Sequence, residues 1–543
     1  MKKGGWGIMR LRTRGRSALA SGQDDNEQNS QPDDQHAALR IGPARHPAGQ
    51  QLSGRPRIKA NATGRCVHRA WTCLLASAAT AAVLACATPA VGQSLPPELT
   101  GAWAATGLPE SALSVVVEEV DGQRLVGVNP QQPRNPASVM KLVTTFSALD
   151  SLGPAYVWRT QLLVEPGTTR LPDGSLSGPL YLRASGDPEF QLEDLWSLLR
   201  ELRVRGIRRI PELIVDRSIF GPVAIDPGAF DNDPSRPYNA SPDAWMVGLG
   251  AVRLLFTPDR DARQWRVVMD PPLPGVRVDG VPKWSDAVCP GSPVVQTEPF
   301  ITPSGGVSMR VTGTAAGSCG EFTVYRLALP QPAHAEATFK LMWQEQGGTL
   351  TGRIRQGQVP PDAVLFASHD SPPLGDVVRR INKLSNNVMA RSLLLTLGAN
   401  HERGPATVAS GGQAVNAILA ARGLEFPELV LDNGSGLSRN GRISADSLGR
   451  LLGAAWKSAV MPEFVSSLAI SGTDGTVRRR LRDPSAQGMA HLKTGSLRDV
   501  RAMAGYVLAN SGKRYLVVSV VNDEKAQQVN AFNDQLIAWI AAR

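Results

Sequence analysis

Cysteine and histidine are scarce in this sequence of 543 residues, and their scarcity narrows the chemistry that the chain can carry. Beyond residue 92 there remain two cysteines and four histidines, the latter at positions 334, 369, 401 and 491. No His-Glu-x-x-His sequence and no cluster of cysteine and histidine occurs, which disfavours a metal hydrolase. No Gly-x-Ser-x-Gly sequence occurs either, which disfavours a hydrolase built on serine, histidine and aspartate. We therefore expect neither a metal nor a cofactor.

A basic excess is also missing from most of the chain, although the net charge is +10. Residues 1–92 hold 13 basic and 5 acidic residues, whereas the remainder holds 45 and 43. Because the excess lies in this leader and not on a binding face, we expect no nucleic-acid partner.

The leader contains an export segment but no long uninterrupted apolar run. Two arginines precede the stretch "AWTCLLASAATAAVLACA", and small residues follow it. This order predicts a signal peptide at 65–92, preceded by a disordered or mis-started extension at 1–64. Because Thr and Ser interrupt the run and Pro89 bounds it, we expect no stable membrane span. A lipid anchor at Cys86 is the less favoured alternative.

Cys289 and Cys319 are the cysteines that remain after removal of the leader. Two cysteines in an exported chain are usually paired, so we predict a disulfide between them. A loop of this size stabilises a fold by about 3–4 kcal/mol in the chain-entropy model. Two buried free thiols are the alternative.

The rest of the chain changes character twice. "SALSVVVEEV" and "RLVGVNP" predict a β-hairpin, and a helical pattern begins at Pro136. Residues 158–364, rich in Pro and Gly with short β-rich runs, predict one or two inserted domains. A helical pattern then covers "LGDVVRRINKLSNNVMARSLLLTLG", and "HLKTGS", "RAMAGYVLA" and "RYLVVSVVN" predict three strands before a terminal helix. Residues 96–157 and 365–543 would form one split α/β domain, whose sheet pairs the two ends of the chain.

Ser138 and Lys141 stand in "NPASVMKLVTT", at the start of the first helical pattern. At i and i+3 on a helix the two side chains share a face, so the amine can reach the hydroxyl. A serine nucleophile needs a base, and lysine serves as one only if burial or a nearby cation lowers its pKa. Taken alone, the pattern favours a helix-capping serine followed by a surface lysine.

Lysine is scarce beyond the leader, with eight lysines against 37 arginines. Three of the eight are Lys141, Lys383 in "KLSNN" and Lys493 in "HLKTGS". Arginine cannot be deprotonated in a protein, so it cannot fill the position of a base. The placement of the surviving lysines therefore supports the reactive interpretation of Ser138.

Three short motifs occur in a fixed order along the chain. They are Ser138-x-x-Lys141, Ser385-x-Asn387 and Lys493-Thr494-Gly495. Each motif is weak alone, but the ordered trio is that of the penicillin-recognising serine enzymes.

"PASVMK", "KLSNN", "DNGSGLSRNGRIS", "SGTDGTVRRR" and "HLKTGSL" resemble the class C low-molecular-mass penicillin-binding proteins, the D-Ala-D-Ala carboxypeptidase/endopeptidase family. The resemblance covers residues 96–540, including the long spacing from Ser138 to Ser385. It implies an α/β, serine β-lactamase-like domain, with an antiparallel sheet flanked by helices and interrupted by the insertion. It also implies peptidoglycan peptides and β-lactams as partners and a periplasmic location, and it leaves an oligomer such as a dimer open.

The resemblance implies a role for each motif residue. Ser138 attacks the D-Ala-D-Ala carbonyl with Lys141 as its base, and Ser385 passes the proton to the leaving amine, with Lys383 or Lys493 shaping its field. The substrate amide is held by Asn387, the terminal carboxylate by Lys493, Thr494 and Gly495, and the oxyanion by the backbone N–H groups of Ser138 and Ser496.

Two departures from the family pattern bear on these roles. Asn386 replaces the more familiar Asp between Ser385 and Asn387, at a position whose side chain need not face the substrate. In the family, a pocket near the insertion binds the diamino-acid side chain of the stem peptide. Its counterparts are Asp233, Tyr238, Arg439 and Arg498, of which Arg498 stands where a relative has Gln and Asp233 also fits a plain turn residue before Pro234.

Two other functions stay open on the sequence alone. A serine β-lactamase or esterase of the same fold would use the same trio but would turn over penicillin quickly. A non-catalytic scaffold that binds the cell wall would keep the fold without the reaction, and the complete motif set argues against it. His491 shares a strand face with Lys493 and is expected to neighbour the cleft, not to act in it.

Overall fold

The computed structural model describes residues 94–289, 294–402, 404–482 and 485–543. The predicted signal peptide at 65–92, the extension at 1–64 and the anchor at Cys86 lie outside the described residues. Within those ranges, no helix combines the length and the apolarity needed to cross a bilayer.

The strands fall into two groups along the chain. In chain order they are β1 Leu113–Glu119, β2 Arg124–Val128, β3 Arg159–Val164, β4 Leu180–Arg183, β5 Arg209–Ile210, β6 Leu213–Asp216, β7 Val252–Asp259, β8 Gln264–Asp270, β9 Val276–Asp279, β10 Lys283–Ser285, β11 Val294–Ile301, β12 Val307–Ala316, β13 Phe322–Arg326, β14 Thr349–Leu350, β15 Ile354–Gln356, β16 Val364–Asp370, β17 Ala469–Ile470, β18 Ala490–Leu497, β19 Val500–Leu508 and β20 Arg514–Asn522.

The helices lie mostly in the two end segments. They are α1 Pro97–Ala104, α2 Lys141–Leu152, α3 Leu192–Val204, α4 Gln331–Glu345, α5 Leu374–Leu384, α6 Asn387–His401, α7 Val408–Ala421, α8 Ala445–Lys457, α9 Met461–Ser466 and α10 Asn530–Ala541.

A six-stranded sheet joins the two ends of the described chain. Its order is β17-β18-β19-β20-β1-β2, and every neighbouring pair is antiparallel. The hairpin β1–β2 and the strands β18, β19 and β20 are those predicted from the sequence, and β1 pairs with β20 as expected. The predicted α/β fold class, an antiparallel sheet flanked by helices, is confirmed.

The period-two alternation of the strands decides which helices cover each face of this sheet. On one face, Val116 packs in a core with α2 and with α5 to α9. On the other face, Val115 and Val117 pack with α1 and α10. There Trp103 of α1 meets Phe532 of α10 edge to face, with 5.1 Å between ring centroids. The sheet is therefore buried on both sides, which fixes the strand that carries Lys493.

The remaining strands come from residues 159–370. A mixed five-stranded sheet has the order β15-β6-β4-β3-β16, and its first and last strands in the chain, β3 and β16, lie side by side. Smaller sheets hold β7, β8 and β13, and β9 to β12. The five-stranded sheet packs with α3 and α4 in one hydrophobic core. The two smaller sheets share a core of their own. The domain boundaries 158–364 stay a prediction.

The predicted disulfide between Cys289 and Cys319 is present, with their Cα atoms 5.1 Å apart. It joins the chain just after β10 to the turn that follows β12.

The helical pattern at 374–401 is one helix in the sequence but two in the structure. It breaks at Ser385, whose φ of 58° is left-handed, and α6 begins at Asn387. The break turns a helix end toward the cleft described below.

Candidate active site

Ser138 lies in a single 3₁₀ turn, Ala137–Met140, that leads directly into α2. Its side chain makes no capping hydrogen bond, so the helix-capping interpretation is wrong. Ala137 before it has a φ of 46°, a conformation that is strained for a residue with a side chain. Gly436 packs against this strained position, since a Cβ there would overlap the carbonyl oxygen of Ala137. The packing of Gly436 against Ala137 thus stabilises the turn that carries Ser138.

Lys141 is fully buried, with 0% of its surface exposed, although the sequence pattern alone favoured a surface lysine. Its Nζ lies 3.0 Å from Ser138 Oγ, 2.7 Å from Asn387 Oδ1 and 2.6 Å from the carbonyl oxygen of Ser435. Burial holds the pKa of Lys141 well below its ordinary value, and the nearby cations Lys493 and Arg391 lower it further. These are the conditions under which a lysine serves as a base.

The three contacts of Lys141 also determine where its lone pair points. A carbonyl oxygen and an amide oxygen can only accept hydrogen bonds, so Asn387 and Ser435 each take an N–H. A neutral amine has two N–H groups and one lone pair. Of its three partners, only the hydroxyl of Ser138 can donate a proton to that lone pair. The arrangement can therefore deprotonate Ser138.

Ser385 terminates α5 in its left-handed conformation and faces Lys493, whose Nζ donates to Ser385 Oγ over 2.9 Å. Lys493 also donates to the carbonyl oxygen of Thr494 over 2.7 Å, and burial lowers its pKa to about 7. Lys383 instead forms a 2.6 Å ion pair with Asp474. Of the two lysines left open by the sequence, Lys493 is the one that contacts Ser385.

Asn386 and Asn387 serve different purposes although they are adjacent. The side chain of Asn386 caps α6 by accepting a 3.1 Å hydrogen bond from the backbone N–H of Met389. An Asp would accept the same bond, so the departure from the family pattern is structurally conservative. Asn387 turns its amide oxygen to Lys141 instead.

The strand β18 forms one wall of a cleft of about 370 Å³ at Ser138. Gly495 packs against the nucleophile turn, because a Cβ there would overlap the Pro136 carbonyl oxygen and lie 3.2 Å from Ser138 N. The hydroxyl of Thr494 donates to Thr476 Oγ1 over 2.7 Å. The cleft is lined by Ser138, Ser385, Thr476, Arg480, Thr494, Gly495, Ser496, Arg501, Ala502, Asn530 and Asn533.

Sequence reasoning did not assign a role to several residues of this cleft. Thr476 lies in "SGTDGTVRRR", a stretch used for the family resemblance without a role for its threonine. Arg501 directly follows "HLKTGSLRDV", and pairing the first two of the three predicted strands in register would have placed it opposite Ser496. The carbonyl of Ser435 carried no signal, because a backbone contact leaves no trace in residue identity.

The residues predicted to bind a diamino-acid side chain differ in their surroundings. Asp233 forms a 2.6 Å ion pair with Arg236, and Tyr238 donates to Asp231 over 2.6 Å. Arg439 lines a separate cavity of about 310 Å³ and pairs with Asp499 over 3.1 Å, next to Arg498 in the chain. Neither Asp233 nor Tyr238 lines that cavity, and the role of these residues stays a prediction.

His491 lies on β18 and does not line the cleft. Its Nδ1 is 3.3 Å from the carbonyl oxygen of Val465, and burial lowers its pKa. Across the described ranges, no group of three or more His, Cys, Asp and Glu side chains could hold a metal ion.

A nucleophile turn ahead of a helix, a Ser-x-Asn break between helices and a Lys-Thr-Gly strand meet around one cleft. This is the arrangement of the penicillin-recognising serine hydrolases. The model of the D-Ala-D-Ala carboxypeptidase 3 (S13) family matches residues 99–543, and the chain belongs to that family. It is therefore a serine peptidase, and the family predicted from the sequence is confirmed.

Relatives and solved structures agree with this assignment. The chain is 28% identical over 431 residues to a D-alanyl-D-alanine carboxypeptidase of Actinomadura sp. (strain R39), covering 76% of this chain and 78% of the relative. It is 26% identical to D-alanyl-D-alanine carboxypeptidase DacB of Haemophilus influenzae, over 71% and 80% of the two chains. The crystal structure of penicillin binding protein 4 (dacB) from H. influenzae superposes with a TM-score of 0.68 at 24% identity, covering 81% of this chain and 98% of the other.

Proposed function

We propose that this protein is a serine D-Ala-D-Ala carboxypeptidase, a D,D-endopeptidase or both, which cleaves peptidoglycan stem peptides through an acyl-enzyme on Ser138. The observation that carries the proposal is the burial of Lys141 with its Nζ 3.0 Å from the hydroxyl oxygen of Ser138. The substrate class, peptides that end in D-Ala-D-Ala, is taken from two relatives that are named D-alanyl-D-alanine carboxypeptidases.

Acylation begins when Ser138 Oγ attacks the carbonyl carbon of the penultimate D-Ala and its proton passes to Lys141 Nζ. The carbonyl oxygen becomes an oxyanion that accepts hydrogen bonds from the backbone N–H groups of Ser138 and Ser496. Each such donor is typically worth about 3–4 kcal/mol. The C–N bond then breaks, and the leaving amine takes its proton from Ser385, which is linked to Lys493. The proton held by Lys141 replaces the one that Ser385 has lost, so Lys141 is neutral again before deacylation.

Deacylation reverses the roles of the nucleophile and the leaving group. A water molecule attacks the ester carbonyl and gives a proton to the neutral Lys141. The ester C–O bond breaks, Ser138 regains its proton, and the shortened peptide leaves with a new carboxylate. A β-lactam undergoes the first half of this reaction, but its amine stays attached through the ring and obstructs the water.

The contacts of Lys493 indicate that it and Thr494 have different roles. Its amine is fully buried and bonded to Ser385 and Thr494, and it does not line the cleft. We therefore assign Lys493 to the proton path at Ser385, and Thr494, which lines the cleft, to the substrate carboxylate. Gly495 keeps β18 close to the nucleophile, and Asn387 holds both Lys141 and the substrate amide.

Mass spectrometry after treatment with benzylpenicillin tests the nucleophile. We expect one adduct on a peptide containing Ser138 and none in Ser138→Ala, whereas an adduct on another residue would overturn the proposal. Release of D-Ala from a pentapeptide, and cleavage of a cross-linked muropeptide dimer, then test the two peptidase activities. Rapid repeated turnover of penicillin would identify a β-lactamase instead.

We also propose that the mature protein works in the periplasm after removal of the signal peptide at 65–92. N-terminal sequencing of the protein recovered from that compartment checks the cleavage site. Detection of a lipid on Cys86 would instead show that the protein is anchored to a membrane. A dimer stays a prediction that sedimentation analysis can test.

A further inference from the structure

The cleft that contains Ser138 also contains two arginines with different surroundings. Arg480 pairs with Asp534 of α10, its Nη2 lying 2.6 Å from Asp534 Oδ1. Arg501 on β19 has no carboxylate partner in the described part of the chain, where its Nη1 donates to the carbonyl oxygens of Leu497 and Val500. One of the two positive charges is therefore uncompensated within the cleft.

The sheet register aims Arg501 at the substrate side of β18. Arg501 stands directly opposite Ser496 in the antiparallel pair, and opposite residues project from the same face of a sheet. Thr494 and Ser496, two residues apart, share that face, and all three residues line the cleft with Ser138. Within the described ranges the guanidinium donates through Nη1, so Nε and Nη2 have no hydrogen-bond partner there.

The neighbouring residues Lys493 and Thr494 do not place a positive charge against a substrate carboxylate in the cleft. The Lys493 amine is buried and bonded to Ser385 and Thr494. The Thr494 hydroxyl, 2.7 Å from Thr476 Oγ1, can give a carboxylate one neutral hydrogen bond but no compensating charge. Burial and the charge of Arg480 both lower the pKa of Arg501, so an anion at this position would relieve a cost that the folded protein carries.

We propose that Arg501 determines specificity by binding the free carboxylate that follows the scissile bond, on a peptide or on a β-lactam. The inference rests on the proposed acylation of Ser138. Arginine matches a carboxylate with two parallel N–H donors, which a lysine or a threonine cannot do. The enzyme would accordingly select substrates that end in a charged carboxylate over esters and amides.

The test compares the acylation of Ser138 by benzylpenicillin and by its methyl ester, which lacks the charge. In Arg501→Gln, we expect the second-order rate constant for benzylpenicillin to fall about 10- to 100-fold, the range of a charged hydrogen bond. The rate constant for the methyl ester should change less than about threefold, and Arg501→Lys should recover part of the loss. The control Arg482→Gln removes an exposed charge outside the cleft and should leave both rates unchanged.

Two outcomes would overturn the role of Arg501. Equal slowing with both compounds would show that Arg501 only clamps the turn between β18 and β19, and unchanged rates would show that it does not meet the carboxylate. The proposed function is judged separately by the release of D-Ala from a pentapeptide by the unmodified protein. A protein that shows the penicillin preference without releasing D-Ala would contradict the function and keep the inference.

Discussion

Gly495 and Pro136 approach each other so closely that no side chain fits between the strand β18 and the nucleophile turn. A methyl group at position 495 would overlap the carbonyl oxygen of Pro136, and both residues are buried, so neither backbone can shift without disturbing its neighbours. In Gly495→Ala, we expect a loss of about 1–3 kcal/mol in the free energy of unfolding and at least a tenfold slower acylation by penicillin. Gly412→Ala on α7 is the control, since a Cβ there meets nothing within 4 Å. Denaturant unfolding and acylation kinetics on both variants provide the comparison, and normal acylation in Gly495→Ala would contradict the packing argument.

Lys141 works as a base only when it is neutral, so charge alone cannot replace it. Lys141→Arg keeps a cation in the pocket but cannot accept the proton of Ser138. Acylation by benzylpenicillin should fall by about 10²-fold or more, the usual contribution of a general base. Intact mass measured over time gives the rate. A variant that acylates at nearly the normal rate would place the base elsewhere.

The buried Lys493 predicts a pH-dependent stability. Its pKa of about 7 in the folded protein lies well below the value of about 10.4 expected after unfolding. Between these values the unfolded state binds more protons, so the free energy of unfolding should rise as the pH increases from about 7 to 10. Urea unfolding at several pH values should show a smaller rise in Lys493→Met. The exposed Lys457, paired with Asp121 at the surface, serves as the control, and Lys457→Met should keep the full rise.

Thr476 positions the hydroxyl of Thr494 through their 2.7 Å hydrogen bond. Thr476→Val keeps the shape and removes that partner, so we expect KM for a D-Ala-D-Ala peptide to increase about three- to tenfold with little change in kcat. Thr473→Val in the same loop removes a hydroxyl that bonds to the Ser471 carbonyl, outside the cleft. An unchanged KM in Thr476→Val, or the same increase in both variants, would remove Thr476 from substrate positioning.

The disulfide between Cys289 and Cys319 should matter for stability and not for chemistry. Its cysteines are 30 residues apart, a loop for which the chain-entropy model gives about 3–4 kcal/mol. The Cys289→Ser, Cys319→Ser double variant should therefore unfold at a lower temperature and acylate at the normal rate at 25 °C. Calorimetry and acylation kinetics measure the two effects, and an acylation defect would tie this region to the cleft.

The sequence predicts those parts of the site in which residue identity carries the chemistry. Ser138, Lys141, Ser385 and Lys493 follow from their motifs, and the strands around Lys493 follow from their β-rich runs. The break at Ser385 was not predicted, because a left-handed serine does not interrupt the apolar period of the helices around it. Neither was the contact between Lys141 and the Ser435 carbonyl, since any residue supplies a carbonyl oxygen and the loop is placed by tertiary packing.

The neighbouring positions of β3 and β16 have a consequence for how this chain can fold. Arg159 at the start of β3 pairs with Asp370 at the end of β16, so the long segment between them begins and ends at the same place. Once β3 has paired with β16, the segment between them no longer adds to the length of the loop that closes when β1 pairs with β20. For the formation of the six-stranded sheet, the segment between β3 and β16 therefore counts as a short connection. Its length can change between β3 and β16 at little entropic cost to the site at Ser138.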